Sequence, residues 1–218
     1  MEKKSDSVVF FDFDNTIAKY DVFDDMIERF AADERWIDIE ERWKRGEIGS
    51  KECLEGQLKC TRITKKALDK YLARIKLDPY FKKLLSLLRK KKIKTVILSD
   101  NFDYILKRVL AHNGIRGLRV YSNKMQVVRD KFIPKFPFRN RKCLRCAHCK
   151  SKNLLANAAA DNIIIYIGDG RSDICPAQKA DIIFAKESLL EFCRSKNIKH
   201  IPFKNLEKVY AYFQRSIA

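Results

Sequence analysis

The chain has 218 residues, 46% of them apolar by type, and a formal net charge of +18 from 46 Lys and Arg against 28 Asp and Glu. That length suits one globular domain with room for an inserted subdomain. No apolar run approaches the ~20 residues of a membrane span and aspartates interrupt the first apolar stretch, so a soluble, cytoplasmic protein with neither signal peptide nor membrane partner is expected. Seven cysteines, an odd number, three of them packed into CLRCAHCK, fit reduced thiols or a metal site better than a secreted disulfide framework.

Residues 8–14 (VVFFDFD) read as a buried strand that ends in two carboxylates, Asp12 and Asp14. On a strand these would share one face and repel each other. Residues 21–77 hold no strand-like run but several charged amphipathic segments, punctuated by Gly46, Gly49, Ser50 and Thr64, which predicts a small helical subdomain inserted after the first strand. A helix over 79–92, a strand over 94–100 (KTVILSD) and a helix over 103–112 follow. Residues 118–136 alternate and contain Ser-Asn and Arg-Asp turn candidates, the mark of one or two β-hairpins. Helical spacing over 151–160 precedes a strand over 163–170 (IIIYIGDG), then shorter strands over 181–186 and 198–203, the last with a proline that suits an edge, and a helix over 204–215. Strands alternating with helices predict an α/β protein with a Rossmann-like parallel sheet flanked by helices, its core formed by 1–20 and 78–218 and its helical cap by 21–77.

In such a sheet, ligands bind at the carboxyl ends of the strands. The three best strands end in Asp12 to Asp14, in Ser99-Asp100-Asn101 and in Gly168-Asp169-Gly170, with Asp173 shortly after. Brought together, these ends concentrate carboxylates that require a cation, and Mg²⁺ suits them because it takes oxygen ligands from a few carboxylates and from a substrate phosphate. One member of the Asp12/Asp14 pair can attack phosphorus and form an aspartyl phosphate, while the other protonates the departing oxygen and later activates water. An Asx-turn pair closing a loop is the bland reading of the DFD tripeptide alone.

Four separated motifs, DFDNT from Asp12 to Thr16, ILSDN from Ile97 to Asn101, Lys150 in CKSKNL and GDGRSD from Gly168 to Asp173, resemble those of the haloacid dehalogenase superfamily of aspartate-nucleophile phosphatases. Their order and spacing are similar to the phosphoserine phosphatase-like branch, and within it to phosphocholine and phosphoethanolamine phosphatases and to the 2-hydroxy-3-keto-5-methylthiopentenyl-1-phosphate phosphatase of methionine salvage. The resemblance implies an Mg²⁺-dependent phosphomonoesterase with a small phosphate ester as substrate and a C1-type helical cap. It implies Asp12 as nucleophile and metal ligand, Asp14 as acid/base and metal ligand through its carbonyl, Asp169 as direct ligand and Asp173 as its support through water or Lys150. Ser99 and Lys150 would hold the phosphoryl oxygens, with Asp100 and Asn101 beside them and Lys152 as the fallback cation; Thr16 would bond within the loop or orient Asp14.

Phosphoserine phosphatases usually follow the second-motif serine with glycine, whereas this chain has Asp100. With Asp21, Asp24 and Asp25 at the mouth of the cap, Asp100 could receive an ammonium headgroup; the cap aspartates equally suit a helix start, where negative charge meets the N-terminal dipole. Cys143, Cys146 and Cys149 form CxxCxxC beside His148 and could hold structural Zn²⁺ with His148 or Cys175 as fourth ligand, or stand as a loop of reduced thiols. The +18 surface supports an alternative from another class, a nucleic-acid-binding or RNA-processing protein, although the basic runs lack interleaved aromatics.

Overall fold

The computed structural model describes residues 6–143 and 145–215. Strand β1 (Ser7–Phe11) is the axis of the molecule, and its residues Val8, Val9, Phe10 and Phe11 are fully buried. Both faces of this strand meet helices, which is why its sequence is a continuous apolar run and not an alternation. Truncating either phenylalanine to alanine would cost about 3–5 kcal/mol. Around β1 stand β2 (Lys94–Phe102), β3 (Arg119–Val128), β4 (Lys131–Lys135), β5 (Ile163–Gly168), β6 (Ile182–Ala185) and β7 (Ile201–Pro202), in the order β4-β3-β2-β1-β5-β6-β7. Every neighbouring pair is parallel except β3 and β4. Phe11 lies level with Ile97 on one side and Ile167 on the other, so the chain leaves β1, β2 and β5 at one rim. The sheet grows outward from β1 in both directions, which makes this rim the crevice where ligands bind in such sheets.

The strand β1 ends before the aspartates. Asp12 still donates its N–H to the Ile167 carbonyl at 2.9 Å, but residues 12–17 form a loop and turn with Asn15 at φ 52°. The expectation that Asp12 and Asp14 share a strand face is therefore corrected: leaving the ladder frees the two side chains to point to different partners. Similarly, β2 runs two residues past Asp100, with an irregularity between Ser99 and Phe102. A single hairpin joins β3 to β4 through Arg129 and Asp130, both at positive φ as a tight type I′ connection demands, while Ser122 and Asn123 lie inside β3. The two-residue edge strand β7 carries Pro202, where a missing N–H costs no ladder bond.

Five helices stand between β1 and β2, and the first four form the insertion: α1 (Val22–Phe30), α2 (Arg35–Lys44), α3 (Ser50–Cys60) and α4 (Lys65–Leu72). Asp21 caps α1 by accepting the Asp24 N–H at 2.9 Å, and Thr64 caps α4 by accepting that of Ala67 at 3.2 Å. Each cap is worth about 1 kcal/mol. Helix α1 buries Val22, Phe23, Met26 and Ile27, whereas α2 buries none of its residues. Isolated bridges from Ala18 to Leu77 and from Ala31 to Thr61 tie the insertion at its base and middle. The remaining helices are α5 (Phe81–Lys90), α6 (Asp103–His112), α7 (Lys150–Leu155), the short α8 (Ile174–Ala177), α9 (Glu187–Ser195) and α10 (Leu206–Arg215). Among the described residues, no helix is long and apolar enough to cross a membrane.

Candidate active site

Helix α7 begins one residue earlier than its spacing predicts, and that places Lys150 in its first turn, 2% exposed, beneath the end of β1. The Lys150 ammonium donates to Asp12 Oδ1 at 2.6 Å, to Asp173 Oδ1 at 2.7 Å and to Ser172 Oγ at 2.9 Å. Burial would lower Lys150, but the charges of Asp12, Asp173 and Asp100 outweigh it and raise the group well above the ordinary lysine value. Of the two candidate cations, Lys150 sits in the site and Lys152 is exposed.

Asp173 is the hub of the third strand end. Its Oδ1 also accepts the Tyr166 hydroxyl at 2.6 Å, and its Oδ2 accepts the N–H groups of Asp169 at 2.9 Å and Gly170 at 3.0 Å. Four donors in all saturate the carboxylate, so Asp173 shapes the loop and holds Lys150. Gly168 permits the approach, because a Cβ there would lie 2.5 Å from Asp173 Oδ2. Asp169 accepts the Thr16 hydroxyl at 2.9 Å, so Thr16 ties the first strand end to the third instead of bonding within its own loop or orienting Asp14.

Oxygens of Asp12, Asp169 and Asp173 gather within 4.8 Å of one another, all buried. One lysine against three carboxylates leaves the cluster short of positive charge. Burial first, then Asp173, raise Asp12 to about 7 despite Lys150; burial, Asp12 and Asp173 raise Asp169 to about 10 despite Thr16. Hard oxygen donors with unmet negative charge fit a magnesium ion, with Asp12 and Asp169 as the residues to hold it.

Asp14 belongs to a different set. Its carboxylate receives both Asn101 Nδ2 contacts at 3.1 Å and the Val22 N–H at 2.9 Å. Burial, then the charges of Asp21 and Asp12, raise it well above the usual carboxylate range, the direction a proton donor needs. Asn101, expected beside the phosphate, spends its amide on Asp14, and its Oδ1 accepts the Phe102 N–H at 2.6 Å. Ser99 is fully buried below this layer, its Oγ accepting the Asn101 N–H at 3.0 Å, and it is not on the cavity wall.

A cavity of about 450 Å³ opens above Asp12, Asp14, Lys150 and Asp169. Its far wall comes from the inserted helices and includes Asp21, Phe23, Asp24, Glu40, Trp43 and Gln57. Asp100 also lines it; burial raises this carboxyl to about 6 against the pull of Lys150, and its buried Oδ1 has no hydrogen-bond partner among the described residues. Burial, Asp21 and Glu40 likewise raise Asp24, whose side chain opens toward solvent. Asp25 is a correction: it turns away from the cavity to accept Arg29 Nε at 2.7 Å and the Tyr71 hydroxyl at 2.6 Å.

The zinc expectation is also corrected. His148 is buried with Nδ1 2.8 Å from the Ser99 carbonyl and Nε2 2.6 Å from Asn153 Nδ2. The amide donates to Nε2, so the proton sits on Nδ1 and neither nitrogen is free for a metal; burial holds the ring at about 4, neutral. Among the described residues, the thiols of Cys143, Cys146 and Cys149 do not gather at ligand spacing. Tyr166 and Ser172 are site residues that sequence reasoning missed: the first is hidden in an apolar strand, while the second lies inside GDGRSD, where its contact with Lys150 could have been suspected.

Residues 7–200 match the family model described as "Putative Phosphatase". The 2-hydroxy-3-keto-5-methylthiopentenyl-1-phosphate phosphatase of Bacillus cereus is 24% identical over 207 residues, covering 93% of this chain and 94% of that protein. Polyol phosphate phosphatase PYP1 of Saccharomyces cerevisiae is 23% identical over 234 residues, covering 97% and 94%. Among solved structures, a phospho-aspartyl intermediate analogue of phosphoserine phosphatase superposes with a TM-score of 0.72 at 19% identity, covering 96% of this chain and 99% of that one. A substrate-bound phosphoserine phosphatase complex gives a TM-score of 0.73 at 17% identity with coverage of 96% and 99%.

Proposed function

The chain belongs to this phosphatase family, and from that premise we propose that it is a phosphoric monoester hydrolase of the phosphoserine phosphatase-like branch of the haloacid dehalogenase superfamily that hydrolyses a small amino-alcohol phosphate through an aspartyl phosphate on Asp12. The observation that carries the chemistry is the juxtaposition of Asp12, paired with buried Lys150, and Asp14, held by Asn101, at one strand end. In the first step Asp12 Oδ attacks phosphorus, the ester P–O bond breaks and Asp14 gives its proton to the leaving alkoxide. In the second, Asp14, now a carboxylate, takes a proton from water as the water oxygen attacks phosphorus, which releases phosphate and restores Asp12. Lys150 offsets charge on the phosphoryl oxygens and on Asp12 throughout. Asp12 and Asp169 would hold a magnesium ion, which when bound would supply the remaining charge neutralisation at the phosphoryl group.

The inserted helices, residues 21–77, serve as the cap on a core of 1–20 and 78–218, and their wall supports the choice of substrate. Asp21, Asp24 and Glu40 offer carboxylates beside the rings of Phe23 and Trp43, an environment for an ammonium or trimethylammonium group. The Lys44 ammonium, 2.8 Å from Glu40, offsets part of that charge and leaves Asp24 as the principal acceptor. Phosphate release from phosphoethanolamine, phosphocholine, phosphoserine, pyridoxal phosphate, sugar phosphates and nucleotides tests the assignment. Amino-alcohol phosphates should give the highest kcat/KM, with Asp24→Asn lowering their preference over a sugar phosphate about tenfold; an unchanged preference would remove the headgroup assignment while leaving the chemistry in place.

A further inference from the structure

The positive charge of the chain is confined to one flank of the sheet. Residues 79–160 hold 21 Lys and Arg against three acids, Asp100, Asp103 and Asp130, so this span alone carries +18, the whole formal excess of the chain. The span contains α5, β2, α6, β3, β4 and α7, and its strands all lie on one side of β1. Register then sorts the hairpin of β3 and β4 into two faces. Met125, Val127 and Phe132 pack into the core layer of Phe11, α5 and α6. Lys124, Gln126 and Val128 therefore point to the other side of the sheet, and their cross-strand partners Lys135, Ile133 and Lys131 share that face. Helix α7 covers the same side, where Leu154 joins the core layer of Val96, Leu98 and Tyr166 while Lys152 and Leu155 stay exposed. Among the described residues five large apolar side chains are exposed, and three of them, Val128 at 51%, Ile133 at 42% and Leu155 at 55%, lie on this side. The one acid of the hairpin, Asp130, is consumed at the tip by accepting the Lys65 N–H at 2.6 Å, and Lys124 pairs with Asp103 at 3.3 Å. Lys131, Lys135 and Lys152 have no carboxylate partner among the described residues.

We propose that this face, the outer side of the β3 and β4 hairpin together with the outer side of α7, docks the enzyme peripherally on an anionic lipid bilayer. Aliphatic tips set among lysines suit such a surface in two ways. The ammonium groups meet anionic headgroups, each worth about fivefold in partitioning, while Val128, Ile133 and Leu155 reach past them toward the acyl boundary. The remaining excess charge of the flank adds attraction over an extended plane, which a bilayer matches better than a compact acidic patch on a protein. Lysines and Pro134 on an edge strand also keep it from pairing with another chain, but that purpose alone does not call for two exposed aliphatics beside the lysines. A second copy of the chain would set +18 against +18. Single-stranded nucleic acid is held by stacking on exposed rings, whereas the exposed large apolar residues of this face are all aliphatic. None of the six hairpin residues lines the catalytic cavity, so docking and catalysis are separately testable.

The test sediments the full chain with vesicles of phosphatidylcholine alone and of phosphatidylcholine with about 30% phosphatidylserine, at about 0.1 M and about 0.5 M NaCl. Binding is expected to the anionic vesicles only, and it should fall about tenfold or more at the higher salt. The pair Lys131→Glu and Lys135→Glu should lower partitioning about thirtyfold, and the pair Val128→Ser and Ile133→Ser about tenfold. The pair Lys82→Glu and Lys83→Glu on α5 changes net charge by the same amount on the other side of the sheet and should alter partitioning less than about threefold. All three double variants should keep the wild-type kcat/KM for p-nitrophenyl phosphate in solution, which reports that they fold. Failure of the wild type to bind anionic vesicles overturns the proposal. Equal losses in the α5 and hairpin charge variants also overturn it, since net charge alone would then explain binding, and so does a serine variant that partitions like wild type. Tighter binding of an oligonucleotide or of polyglutamate than of vesicles, lost in the hairpin variants, would assign the face to nucleic acid or to an acidic protein and overturn it as well.

Discussion

Asp169→Asn isolates the charge problem at the centre of the site. In the metal-free protein the Asp169 carboxyl is raised from 3.8 to about 10, by burial first and then by Asp12 and Asp173. A carboxyl that holds its proton in the native state and sheds it on unfolding opposes folding, and the penalty grows with pH from the unfolded value up to the folded one. At roughly 1.4 kcal/mol per pH unit, the penalty is a few kcal/mol at pH 7 and about 1–2 kcal/mol at pH 5, shared with Asp12 and Asp173 as neighbours. An asparagine can still accept the Thr16 hydroxyl through its amide oxygen and carries no charge. The variant in EDTA should therefore melt higher than wild type at pH 7, by several degrees at ~2–4 °C per kcal/mol, and the gain should shrink toward pH 5. Magnesium reverses the order: wild type gains about 2.7 kcal/mol at a metal concentration ~100 times its dissociation constant, and the variant, lacking a ligand, gains far less. Thermal melts of both proteins with EDTA and with millimolar Mg²⁺, at both pH values, give the comparison. If wild type shows no magnesium shift, or if Asp169→Asn is both less stable in EDTA at pH 7 and equally responsive to metal, the carboxylates are structural and the metal reading fails.

Asp12→Asn should abolish turnover without lowering the melting temperature, because an amide nitrogen does not attack phosphorus; activity within tenfold of wild type, after deamidation is excluded by mass, would disprove the nucleophile. Asp14→Asn should cost about 10²–10⁴ in kcat for an alkyl phosphate and much less for p-nitrophenyl phosphate, whose leaving group needs no proton; equal losses on both substrates would count against the acid role. Gly168→Ala should lose about 1–3 kcal/mol by chemical denaturation and lower kcat as well, since the new Cβ would press on Asp173 at 2.5 Å and shift Lys150 with it; a variant of native stability and activity would show that this loop yields freely.

The ends of β1, β2 and β5 were legible because each couples an apolar run, which only a buried strand explains, to an acidic end that a buried strand would exclude without a purpose. Register between β1 and β5 then brings Asp12 beside Asp169, and the turn after β5 folds Asp173 back onto them. What was not legible depends on departures from regular structure. Asp14 parts from Asp12 because the chain turns through Asn15 at φ 52°, and Asn101 reaches Asp14 because β2 breaks register after Ser99. No periodicity encodes either event. Helix α9 was absent from the expected elements although Leu189 and Cys193 are spaced for one buried face, since it is squeezed between two short strand signals. Tyr166 reads as core because its ring is core; only the position of Asp173, seven residues on and past two turns, gives its hydroxyl a partner. His148 is the opposite case. Its place among three cysteines suggests a metal, but the fold sets its ring between the end of β2 and Asn153 of α7, where both nitrogens are consumed in joining the strand that carries Ser99 to the helix that carries Lys150. The same two elements could not be paired from the sequence, because 49 residues separate the histidine from the carbonyl it holds. Local pattern therefore located the chemistry, while the partners that tune each acid came from contacts between segments far apart in the chain.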